Sequence, residues 1–86
     1  MDKNADFLQA AIKRICAKKW DVPAAQVGPQ ISIMIRIPPA LRPHMLSTAD
    51  QAVQVAREMH AEGWTLAGFS DNGDNLLIDL VHPRMD

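Results

Sequence analysis

Between residues 31 and 39 the chain reads ISIMIRIPP, with Ile31, Ile33, Ile35 and Ile37 alternating with Ser32, Met34 and Arg36. A period of two belongs to a β-strand, because successive side chains point to opposite faces. This strand therefore has one face of unbroken isoleucine and a second, mixed face. It ends at Pro38-Pro39, which cannot supply the backbone N–H groups that a ladder needs.

Elsewhere the period changes. In residues 5–19, ADFLQAAIKRICAKK, the apolar positions Leu8, Ala11, Ile12, Ile15 and Cys16 recur at helical spacing, with Phe7 beside them. Asn4 or Asp2 can cap the start, and Lys18 and Lys19 suit the negative end of the helix dipole. The next stretch, WDVPAAQVGPQ, has no sustained period. It reads as a connector held by Trp20 and Val27, with a short helical turn opening at Pro23. PPALRPH is an extended or turn-rich link, since residues before proline avoid the helical region. Ser47-Thr48-Ala49-Asp50 has the spacing of a helix start, and Gly63 suits the position just beyond a helix running to Glu62. The stripe of that helix is Ala49, Ala52, Val53, Ala56 and Met59.

Residues 64–82, WTLAGFSDNGDNLLIDLVH, place Asn72-Gly73 between two apolar runs, the signature of a hairpin turn. A two-residue loop pairs Phe69 with Leu76. A three-residue loop with Gly73 in a bulge shifts the pairing by one, placing Trp64, Leu66, Leu76, Ile78 and Leu80 on one face. It sets Thr65, Ala67, Phe69, Leu77, Asp79 and Val81 on the other. The second arrangement separates apolar from polar better and is the expected register.

The predicted fold is a small α+β domain spanning residues 1–86, a two-layer α/β sandwich of order α-β-α-β-β. Its three-stranded sheet carries helices on one face and ends in the C-terminal hairpin. No internal repeat is apparent. Either hairpin register groups Leu77, Asp79 and Val81 with Met34 and Arg36 on the second sheet face. Its mixed character implies a cover, either the first helix or a second copy or another protein. Arg36 and Asp79 are placed to pair across strands.

Composition narrows the function classes. The chain has 86 residues, 48% hydrophobic and 22% charged, so a folded single domain is expected. A net charge of −1 gives no global attraction to nucleic acid or to an anionic membrane. The lone cysteine, Cys16, rules out an internal disulfide and reads as a small core residue. The polar N-terminal residues lack a signal-peptide pattern, and no apolar run is long enough to span a bilayer, so a cytoplasmic location is the expectation.

No catalytic constellation emerges. His44, His60 and His82 lack metal-ligand spacing, Asp79 and His82 point to opposite faces of one strand, and Ser47 and Ser70 read as a cap and a turn residue. No enzymatic activity, cofactor or metal is therefore expected. Lys13, Arg14, Lys18, Lys19 and Trp20, from KRICAKKW, form one local basic concentration of the kind that grips phosphate and stacks a base. Two readings follow. The first is a non-enzymatic protein-interaction module, acting as a homodimer, adaptor or inhibitor through Met34, Arg36, Leu77, Asp79 and Val81 or through an edge strand. The second is a nucleic-acid-associated protein using the basic end of the first helix.

Overall fold

A computed structural model describes residues 2–85. Helix α1 spans Lys3–Ala17 and is followed by β1 (Asp21–Val27), β2 (Ile31–Ile37), a 3-10 turn (Pro39–Leu41), α2 (Thr48–His60), β3 (Thr65–Asp71) and β4 (Leu76–His82). The sheet is four-stranded, in the order β1-β2-β4-β3, and every neighbouring pair is antiparallel. The predicted α+β class and single helical layer hold. The predicted element order and three strands do not, because the expected connector is an edge strand.

That strand hides its period. β1 pairs Asp21 with Arg36 and Ala24 with Met34, so Val22 and Pro23 together oppose Ile35 in a bulge. Only Val22 and Val27 reach the core layer. Proline is tolerated there because an edge strand needs hydrogen bonds on one side only. β3, at the other edge, also carries a bulge, with Ala67 unpaired between the pairs Leu66–Leu80 and Gly68–Asp79.

The two edges match because the chain is built twice. Each half runs helix, edge strand, inner strand: α1-β1-β2 and α2-β3-β4. The buried positions Leu8, Ala11 and Ile15 of α1 correspond to Ala52, Val55 and Met59 of α2. Each helix then passes through a residue of positive φ, Lys19 at 70° and Gly63 at 95°, into a tryptophan, Trp20 or Trp64, that opens the edge strand. The doubling lies in the element order alone; the segments AKKW and AEGW share too little for the sequence to show a repeat.

Helix ends follow capping chemistry. The Asp2 carboxylate accepts from the N–H groups of Asn4 (2.9 Å) and Ala5 (3.4 Å), so Asp2, not Asn4, is the cap of α1. Asn4 is buried instead, and its side-chain oxygen accepts from Met85 N at 2.7 Å. Ser47 Oγ accepts from Asp50 N, as predicted. The inward stripe of α2 differs from expectation: Gln51, Ala52, Val55 and Met59 are buried, while Ala49 and Val53 are exposed. Gln51 tolerates burial because Oε1 accepts from Arg42 Nε (2.9 Å) and Nε2 donates to Leu46 O (2.8 Å) and Pro43 O (3.1 Å). Cys16, expected in the core, is exposed.

Both helices cover the same face of the sheet. Ile31, Ile33, Ile35 and Ile37 of β2 and Leu76, Ile78 and Leu80 of β4 form one continuous core with Leu8, Ala11 and Ile15 of α1 and Ala52, Val55, Met59 and Trp64. The hairpin places Leu66 on this side with Leu80 and puts Thr65 opposite Val81, as expected. Beyond the bulge the register slips by one, and Phe69 pairs with Ile78 rather than joining Leu77 and Asp79. The loop is accordingly longer than expected, running from Asn72 to Asn75; Asn72 Oδ1 accepts from Asp74 N and Asn75 N.

Candidate functional site

With α1 and α2 on the isoleucine face, neither helix covers the second face. The ladders arrange its side chains in three rows across the strands. One row is Asp21, Arg36, Leu77 and Ser70; the middle row is Ala24, Met34, Asp79 and Gly68; the third is Gln26, Ser32, Val81 and Thr65. Met34, Arg36, Leu77, Asp79 and Val81 thus share one surface, as the alternation predicted. Met34, Arg36, Leu77 and Val81 are half-buried by their neighbours, and Asp79 is exposed.

Charge on this face is distributed differently from expectation. Arg36 does not pair with Asp79. Its guanidinium donates to Asp21 Oδ2 from Nε (3.3 Å) and Nη2 (3.0 Å) across β1 and β2, because Asp21 is its direct cross-strand partner while its β4 neighbour is Leu77. Asp79 lies opposite Met34. Between the middle and third rows runs a shallow groove of about 360 Å3, lined by Ala24, Gln26, Ser32, Met34, Asp79 and Val81. Its floor is the backbone of Ile33 and Leu80, whose side chains point into the core. The pattern of β2 and β4 made the two central strands of this surface legible. Ala24, Gln26 and Gly68 were missed, since their strand was unrecognised or their register shifted by a bulge.

The basic end of α1 is partly occupied by the second helix. Arg14 forms an ion pair with Glu62, and Lys18 Nζ lies 2.8 Å from Glu58 Oε2 and 5.2 Å from the centroid of the Trp20 ring. Lys13 and Lys19 remain exposed.

The third polar concentration ties the proline-rich link to the hairpin tip. Arg42 donates from both terminal nitrogens to the two Asp71 carboxylate oxygens, Nη1 to Oδ1 at 3.0 Å. Asp71 also accepts from Thr48 Oγ1 (2.8 Å) and Gly73 N (2.8 Å). These donors, Arg42 first, hold the Asp71 carboxyl well below its usual range. Every partner is satisfied within the chain, which makes this a clamp on the link.

The histidines stand apart. His44 is exposed in the link, and His60 Nδ1 lies 3.4 Å from Trp64 O. His82 packs against Phe7 and Trp64, with ring centroids 4.5 and 5.5 Å away, and those two rings stack on each other. Among the described residues no group of three His, Cys, Asp or Glu side chains is placed to hold a metal ion, and no helix is long and apolar enough to cross a membrane. No protein family, curated protein or solved structure matches the chain.

Proposed function

We propose that this chain is a non-enzymatic protein-interaction module whose working surface is the open face of its sheet. The observation that carries the reading is the placement of both helices on the isoleucine face, which leaves Met34, Leu77 and Val81 half-buried by their strand neighbours and covered by neither helix. Apolar side chains interleaved with charge are suited to a contact that forms and dissolves, because the bare face stays soluble between partners. The edges are worse candidates. Pro23 and the bulge blunt β1, and the Ala67 bulge interrupts β3, two devices that discourage strand addition. The nucleic-acid reading loses support because Arg14 and Lys18 are engaged by Glu62 and Glu58.

Affinity capture from an extract of the source cells tests the proposal, with the native chain, Leu77→Asp and the double variant Lys13→Glu/Lys19→Glu compared side by side. A protein retained by the native chain and the lysine variant but lost from Leu77→Asp is the expected result. Nucleic acid retained in a salt-sensitive way, and lost from the lysine variant alone, refutes it in favour of the basic helix end.

A further inference from the structure

We infer that the open face receives a segment of a different protein that presents an arginine or lysine to Asp79, flanked by apolar side chains; this rests on the face being the working surface. Asp79 holds the middle of the face, exposed, and has no ion-pair partner among the described residues. Arg36, the basic residue of these rows, is already bound by Asp21. The face therefore keeps one uncompensated negative charge.

The surroundings suit a long cationic side chain. The groove beside Asp79 is walled by Ala24, Ser32, Met34 and Val81, against which an aliphatic stem can lie while its charged head reaches the carboxylate. On the other side Asp79 neighbours Gly68, where an added Cβ would meet nothing within 4 Å, so the approach to the carboxylate is open from the β3 edge. A second copy is a poor occupant. Stacked face to face, two copies bring two uncompensated carboxylates into one desolvated contact, and like charges oppose such burial.

The probe is a phage-displayed library of random linear peptides, selected on the native chain. One selected peptide is then titrated against the native chain, Asp79→Asn, Gly68→Leu and Leu77→Asp, with the backbone amides followed by NMR. Gly68 has no positive φ and open space around an added Cβ, so a leucine there projects over the approach, and its melting temperature checks that the fold is kept. The expected result is enrichment of arginine or lysine between apolar residues, with shifts at Ala24, Ser32 and Gly68. Binding should weaken roughly tenfold or more in Asp79→Asn and be lost in Gly68→Leu, with unchanged melting temperatures.

Peptides lacking a basic residue, equal binding to Asp79→Asn, or no enrichment at all would overturn the inference. Light scattering separates it from the reading beneath it. A concentration-dependent dimer that Leu77→Asp converts to a folded monomer overturns the foreign basic partner but leaves the face as an interaction surface. Peptide binding indifferent to both Leu77→Asp and Gly68→Leu overturns both.

Discussion

Gly63 and Gly73 form a controlled pair. Both have positive φ, 95° and 92°, so alanine at either position meets the same backbone penalty, about 1–2 kcal/mol. They differ in what the new methyl group touches. At Gly73 a Cβ meets nothing within 4 Å, whereas at Gly63 it falls 2.7 Å from His82 Nε2 and 3.1 Å from His82 Cδ2. The ring cannot swing aside freely. Its nitrogens lie 3.0 Å from Glu62 O and 2.7 Å from Pro83 O, and Phe7 and Trp64 pack against it. Forcing a methyl group into such a contact costs about 1–3 kcal/mol more. A chain of 86 residues has a total stability of only about 4–13 kcal/mol. Gly63→Ala is thus expected to lose a large share of that total, and Gly73→Ala a small one. Urea unfolding followed by circular dichroism measures both, and each kcal/mol lowers Tm by about 4–8 °C in a domain of this size. In a His82→Ala background the excess at Gly63 should disappear. Equal losses in the two glycine variants, or an excess that survives the removal of His82, would refute the steric argument.

Three further outcomes are expected. Asp71→Asn removes a carboxylate whose folded pKa is depressed by Arg42, Gly73 and Thr48, so its stabilisation is present above the ordinary carboxylate value of 3.8 and lost as pH falls below it. The stability gap between native chain and Asp71→Asn, measured by thermal melts across pH 7 to 2, should accordingly narrow towards the acid end; a gap independent of pH contradicts the clamp. Ile35→Ala empties a fully buried position on a central strand and should cost about 2–5 kcal/mol in urea unfolding. Met45→Ala, at a residue 95% exposed, should stay within about 0.5 kcal/mol of the native chain.

Legibility in the sequence tracked how strongly each segment is held by the core. Ile31–Ile37 could be bounded to the residue, since one face of that strand is wholly buried and a polar residue at any odd position would be costly. β1 went unread because DVPAAQV buries little, carries a bulge at its proline and so shows neither period. In α2 the apolar spacing includes Ala49 and Val53, which are exposed, and omits Gln51, whose burial depends on Arg42 and two carbonyls that only the fold brings together. The grouping of Met34, Arg36, Leu77, Asp79 and Val81 followed from parity alone. Which layer covered them did not. The amphipathic stripe of α1 fits either side of a sheet, and its side is decided by β1, the strand that the pattern concealed. The Arg36–Asp21 pair was out of reach for the same reason.

The doubled architecture, together with the hydrogen bond from Met85 N to Asn4 Oδ1, gives the chain the connectivity of a ring. Its elements spell a cyclic word, helix-strand-strand written twice, that can be opened at two equivalent places: where Asn4 meets Met85, and in the link between β2 and α2. A circular permutant joined at the first and cut at the second would run α2-β3-β4-α1-β1-β2 and still assemble the same four antiparallel strands in the same spatial order. The spatial order of the strands can be written with either half-motif first along the chain.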